Sequence, residues 1–364
     1  MRPLLFSFLE GGVVTKDSAV RAGTEIIVAE APIPECDRFV RQMEGARLCH
    51  LPAWTRMVER AFGHKGIYLV ARKAGRVCGV LPLTQVRSRL FGHRLISQPF
   101  SDYGGPVAAN AEAVEALYQR AVEVARECGC ESMELRNTVR LPYDLHVRTD
   151  KISMCLPLTK DPQDVWKGLR HKTRNRVRKA QGAALVVVSG GLELLDEFYR
   201  MWTIRMHELG TPCYPRKLFA CILETFPDMA RIFVARLDGA TTAGLFAYTF
   251  QGWVQSSWGA ALRQYDDIGP NYILNWAAIE HYCQEGMKWF DFGRSTVGSG
   301  QHIFKERWGA DPINLCWQYW TLGGEEPAFA RPEDPKYRRK VEMWKRMPLW
   351  VSRVLGPVIS PALP

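Results

Sequence analysis

The stretch Lys288-Trp289-Phe290-Asp291-Phe292-Gly293-Arg294-Ser295, followed by Phe304-Lys305, gathers one acid and several cations around an apolar strand. Alternation along a strand puts Phe290 and Phe292 on one face and Asp291 on the other. Amide formation passes through an oxyanion, and Lys305 or Arg294 is suited to stabilise it. Asp291 is suited to take a proton from an attacking ammonium group, or to hold that group in place. A purely structural ion cluster fits the same residues. Tyr214 lies in the rigid turn Leu209-Gly210-Thr211-Pro212-Cys213-Tyr214-Pro215, where it can donate a proton to a leaving group or simply pack. Gln98 to Gly105 reads as an irregular loop carrying Asp102 and Tyr103, and its glycines would let a ligand approach the backbone closely.

The segment Trp166 to Ala180, WKGLRHKTRNRVRKA, has the strongest charge pattern in the chain. Trp166, Leu169, Thr173, Val177 and Ala180 recur at helical spacing, predicting one helix over about 164–181. Its other faces carry Lys167, Arg170, Lys172, Arg174, Arg176, Arg178 and Lys179, and no acid occurs between Asp164 and Glu193. Such a helix repels itself unless an anion meets it, so Arg170, Lys172, Arg174, Asn175 and Arg178 are candidate phosphate-binding residues. A solvated helix face is the plainer reading. No aromatic platform interrupts the basic run, so sequence-specific RNA reading is not supported.

Other chemistries are unsupported. The eight histidines show no paired ligand spacing, so no metal site is expected. No G-x-S-x-G turn is present for a serine hydrolase. Ten cysteines without a C-x-x-C pair, in a chain of 364 residues, read as reduced thiols. The formal charge of +10 suggests an anionic partner. No apolar run reaches the roughly 18 residues of a membrane span. Leu4 to Leu9, cut by Glu10, is too short for a secretory signal, so a cytoplasmic location is expected. Near the other end, residues 331–353 hold eight Lys or Arg against three acids. Trp344, Met347, Trp350, Val351, Val354 and Leu355 add an apolar stripe. The tail therefore reads either as peripheral to the inner membrane face or as docked on its own domain.

The elements that must position these residues repeat. Val70-Ala71-Arg72, Gly75 and Gly79 in the first half match Val234-Ala235-Arg236, Gly239 and Gly244 in the second, each set reading as a hairpin. Helical patterns over 111–127 and 272–285 precede Gly129 and Gly286. These glycines stop the helices by taking a left-handed conformation. Each glycine stands five residues before an acid, in Glu134-Leu135-Arg136 and Asp291-Phe292-Gly293-Arg294. A duplicated α/β unit follows, with domains at 1–150 and 151–325 and a basic tail at 326–364. A strand over 152–158 and another over 184–189 flank the basic helix.

The ordered set of motifs resembles the FemAB-like proteins of exosortase and PEP-CTERM exopolysaccharide systems. Its members here are Phe62-Gly63-His64, Gly79-Val80-Leu81-Pro82-Leu83, Pro99-Phe100 with Tyr103-Gly104-Gly105, and Lys172-Thr173-Arg174-Asn175 with Val177-Arg178-Lys179-Ala180. Leu209-Gly210-Thr211-Pro212, Pro270-Asn271, Phe290 to Ser295, and Phe304-Lys305 with Trp308-Gly309-Ala310 complete it. The resemblance spans about residues 50–320 and implies two tandem α/β domains of the GNAT acyltransferase fold, with mixed, mostly antiparallel sheets. It implies N-acyl or aminoacyl transfer to an amine of a peptidoglycan, envelope or exopolysaccharide precursor. It also implies a substrate-binding and reactive role for Lys305, and a site position for Asn271. The donor stays open between aminoacyl-tRNA and acyl-CoA. Leu192–Leu209 and Lys217–Phe226 are too short for the long helical arm of tRNA-binding relatives. Arg263 to Asn271 places Asp266 and Asp267 where a pyrophosphate loop would lie. The alternatives are an acyl-CoA-dependent enzyme acting on a sugar amine, and a non-enzymatic module binding RNA or anionic lipid.

Overall fold

The computed structural model describes residues 24–29, 34–88, 91–327 and 335–363; the stretch Leu4 to Leu9 lies outside them. The first unit contains β1 (Thr24–Ala29), α1 (Pro34–Gln42), α2 (Pro52–Phe62), β2 (Lys65–Lys73), β3 (Arg76–Ser88), β4 (Gly92–Ile96), β5 (Val107–Ala108), α3 (Ala111–Glu127), β6 (Ser132–Asn137) and β7 (His146–Arg148). The second contains β8 (Lys151–Pro157), α4 (Pro162–Gly168), α5 (His171–Gly182), β9 (Val186–Gly190), α6 (Leu195–Leu209), α7 (Arg216–Thr225), β10 (Ala230–Leu237), β11 (Ala240–Phe250) and β12 (Trp253–Ala261). It continues with α8 (Pro270–Gln284), β13 (Trp289–Thr296), α9 (Gly300–Glu306), β14 (Asp311–Asn314) and β15 (Cys316–Thr321), before the tail helices α10 (Pro335–Arg346) and α11 (Leu349–Ile359).

The duplication is visible in strand order. One sheet runs β1-β2-β3-β4-β6-β15-β7, with β5 attached to β3, and the other runs β9-β10-β11-β12-β13-β8-β14. Both hairpins turn on a left-handed pair, Ala74-Gly75 and Asp238-Gly239, the geometry that matches strand twist. Both carry a register shift at the repeated motif, between Ala71 and Arg72 and between Ala235 and Arg236. Gly129 and Gly286 take φ of 67° and 73° and end α3 and α8.

The two sheets exchange strands. β7 and β8 are consecutive, yet β7 joins the first sheet and β8 the second. β14 and β15 do the converse: β14 pairs with β8, and β15 pairs with β6 and β7. A division at residues 150 and 325 therefore misplaces Cys316–Thr321, whose residues 317–319 are buried in the first unit's sheet. The crossing residue, Leu315, is itself buried and turns the chain from one sheet to the other.

A shared core welds the units. Trp54 of α2 packs on Phe226 and Tyr248 at ring distances of 6.0 and 5.3 Å. Phe198, Phe219, Phe246 and Trp258 extend the same cluster. Trp258 is a core residue, enclosed by three aromatic neighbours. Each fully buried ring contributes about 1.5–3 kcal/mol, so the interface is as stabilising as a domain core.

The basic segment forms two helices instead of one. Leu169 and Arg170 take extended ψ of 143° and 141°, and α4 ends at Gly168. Leu169 is buried and closes α4 with its own N–H, so the break serves packing.

Candidate active site

The site grows from a gap in the second sheet. β12 and β13 run parallel and pair from Trp253 with Trp289 to Gln255 with Asp291, and then their pairing stops. Gly293, at φ 74°, bulges β13 at this point, and its register on β8 shifts between Asp291 and Arg294. A Cβ there would meet the Ser256 carbonyl at 3.2 Å and Asp102 Oδ2 at 3.4 Å, so any side chain would both crowd the gap and strain the left-handed backbone.

Lys305, on α9, donates to the carbonyls of Gly293 (2.7 Å) and Arg294 (3.0 Å), holding the bulge open. Burial lowers its pKa to about 8, against the attraction of Asp102 and Asp291. Arg294 is half-buried, lies 4.6 Å over the Trp317 ring and approaches Asp102 at 3.5 Å. Asp102 also accepts the Arg294 backbone N–H at 3.0 Å. The first unit's loop thus enters the second unit's gap.

Asp291 does not face this gap. It is 1% exposed and accepts hydrogen bonds from the Tyr103 hydroxyl, the Ser153 hydroxyl and the Gly293 N–H. Its pKa is raised because burial outweighs those donors. Three donors seal the carboxylate, so the expected handling of the attacking amine is corrected: Asp291 fixes the bulge and pins Tyr103. Tyr103 is likewise buried, with Arg47 5.2 Å over its ring.

The loop's glycines serve packing, not ligand approach. A Cβ on Gly104 would meet the Ser97 carbonyl at 2.3 Å, and one on Gly105 would meet Asn137 Oδ1 at 1.9 Å. Gln98 and Phe100 take φ of 56° and 65°, a strained backbone that aims Asp102 and Tyr103 at the other unit. Tyr214 packs edge-on against Phe100 at 5.4 Å. Burial raises its pKa, with Arg294, Arg136 and Asp102 among the charges that act on it, so its phenol keeps its proton.

The basic helix α5 lies beside α9. Thr173 donates to the Arg307 carbonyl at 2.6 Å, and Arg170 approaches Glu306 at 3.8 Å. Lys172, Asn175, Arg176, Arg178 and Lys179 are exposed. Arg174 instead donates to the Lys167 carbonyl, and Arg178 leans over Trp166 at 5.6 Å. Asn271 sits in the first turn of α8, next to Tyr272, whose ring contacts Phe304 at 5.3 Å.

The sequence reading missed Ser153, Arg136 and Trp317. Ser153 and Trp317 gave no local signal. Arg136 was visible as the repeat counterpart of the Asp291 to Arg294 motif, but its role depends on the loop that folds over it. A separate cavity of about 480 Å³, lined by Glu197, Arg200, Met201, Arg236, Thr241 and Leu262, shares no residue with this site.

Residues 167–306 match the acetyltransferase (GNAT) domain family. Solved structures show the whole architecture. The crystal structure of FemX aligns over 82% of this chain and 97% of that one, with a TM-score of 0.64 and 15% identity. The tandem GNAT protein of the clavulanic acid biosynthesis pathway covers 84% and 100%, at 0.53 and 15%. L-PGS from Bacillus licheniformis covers 87% and 98%, at 0.52 and 13%. No curated protein matches by sequence. The fold is therefore two tandem GNAT-like acyltransferase domains.

Proposed function

We propose that this chain is an N-acyltransferase of FemAB type. In this reading it moves an acyl or aminoacyl group from a polyanionic carrier to an amine of an anionic envelope or exopolysaccharide precursor. The observation that carries it is the break in β12–β13 pairing with Lys305 beside it, together with the exposed basic helix α5 against the same α9. The amine attacks the activated carbonyl, a C–N bond forms, and the carbonyl oxygen takes negative charge. Lys305 and Arg294 face that charge. As the oxyanion collapses, the carbonyl carbon–oxygen bond to the carrier breaks, Tyr214 gives its proton to the departing carrier oxygen, and the proton released by the attacking nitrogen restores the phenol. Asp291 and Asp102 position, and much of the acceleration comes from alignment of the two reactants.

Two features favour an aminoacyl-tRNA donor over acyl-CoA. The exposed cations of α5 suit a long phosphate backbone. Asp266 and Asp267 stand just before the N-terminus of α8, where a diphosphate would need donors instead. Titration of the protein with charged tRNA and with acyl-CoA, followed by mass analysis of an amine-bearing nucleotide sugar, tests the reading. Tight, salt-sensitive tRNA binding with a mass gain on the acceptor is expected. Turnover with acyl-CoA alone would replace the donor, and binding without any covalent product would leave a non-enzymatic RNA-binding module.

A further inference from the structure

We propose that the tail helices α10 and α11 form a docking surface for an anionic phospholipid bilayer. The sequence pattern left two readings, self-docking and membrane contact, and the structure shows that the two faces of the tail differ. The inner face is fastened to the protein. Trp344 is buried, and a Cβ on Gly210 would meet Val341 Cγ1 at 2.6 Å. Gly356 lies so tightly on the Leu209–Pro215 turn that a Cβ there would come within 2.9 Å of the Cys213 nitrogen. Arg353 donates to Thr203 at 3.1 Å, while His64 and Arg94 hold the carbonyls of Pro361 and Ala362 at 3.0 and 2.7 Å.

The outer face has no cover among the described residues. Trp350, Val354 and Val358 follow at four-residue steps along α11 and are 69%, 62% and 73% exposed. Leu355 adds to this side of α11, and Met343 on α10 is likewise exposed. A helix anchored on one side and apolar on the other presents a fixed plane, whereas a merely frayed tail would have no fixed inner contacts.

Charge selects the occupant. α10 carries six Lys or Arg and one acid, Glu342, which is paired with Lys345. Arg338, Arg339, Lys340 and Arg346 are exposed and make no ion pair among the described residues. Arg339 and Arg346 stand four residues before and three after Met343, so on α10 these cations share a face with that exposed apolar residue. A tryptophan and valines at acyl-boundary depth, flanked by cations at phosphate depth, match an anionic lipid surface. An apolar protein partner, or a second copy with the same basic charge, would leave those cations unmatched.

The test is co-sedimentation of the full chain with vesicles containing about 30% phosphatidylglycerol, and with pure phosphatidylcholine vesicles. Binding to the anionic vesicles is expected, weakened at least about tenfold in phosphatidylcholine or high salt. Trp350→Ser/Val354→Ser/Val358→Ser should lose at least about tenfold in apparent affinity, with an unchanged melting temperature because these side chains are exposed. Arg339→Glu/Arg346→Glu should lose binding while leaving the apolar patch in place. Wild-type vesicle binding by the triple variant overturns the proposal. A dimer in sedimentation velocity that the triple variant abolishes, without vesicle binding, assigns the face to a second copy instead.

Discussion

In the first sheet β4 and β6 pair in parallel from Arg94 with Ser132 to Ile96 with Glu134; in the second, β12 and β13 pair from Trp253 with Trp289 to Gln255 with Asp291. Both pairs then separate, and what fills the opening differs. After β4 the chain turns back into its own gap. The Ser97 N–H donates to the Glu134 carbonyl (2.9 Å), the Gly105 N–H to the Arg136 carbonyl (3.0 Å), and the Arg136 N–H to Ser97 Oγ (2.8 Å). The Arg136 guanidinium reaches the Gln98 and Ser101 carbonyls and Glu134. β12 does not peel away; it stays on β11 to Ala261, and its gap receives Asp102 from the other unit. One copy of a duplicated unit is closed by its own loop. The other is entered by a loop from the opposite unit, so residues of both units line it.

Four experiments sharpen or break this contrast. Arg136→Met should destabilise the fold by about 3–5 kcal/mol in urea denaturation, because it strands Glu134 and two carbonyls in the interior. A mild effect would mean that the first gap is not held by its loop. Lys305→Ala should lower kcat about 10²–10³-fold while the chain stays folded by circular dichroism. Unchanged turnover would class the second gap with the first. Tyr103→Phe removes one of the donors to Asp291 and should cost about 1–2 kcal/mol of stability. An equal loss of kcat in that variant would return Asp291 to the chemistry. The smallest effect is in the pH profile. The Lys305 proton leaves at about 8, below its ordinary value, because burial disfavours the ammonium. If the cation is required, kcat/KM falls as pH rises through about 8. Lys305→Arg should move that limb upward, and a limb that stays put belongs to another group.

Much of the fold was legible because it rests on local rules. The hairpins, the glycine-stopped helices and the repeat all follow from periodicity and from positions that need φ > 0. The site was legible only as a set of candidates. Lys305, Arg294 and Asp102 do converge, but Asp291 lies sealed behind them. Nothing local to Asp291 reveals that Ser153 and Tyr103, from distant segments, supply its donors. The exchange of β15 into the first sheet was invisible for the same reason: an apolar strand does not state which edge it will join. The break at Leu169 was overlooked because its apolar spacing fits a continuous helix.

The crossing of β8 and β15 has a consequence for how this molecule can be handled. Cutting the chain near residue 150 deprives the first fragment of β15 and leaves β6 as a raw sheet edge, prone to aggregate. The second fragment keeps β15 with no sheet to receive it. The two lobes are therefore topological hostages of one another, and denaturation should show one transition in which both melt together. A design that wants a free-standing catalytic lobe must re-route Cys316–Thr321 first.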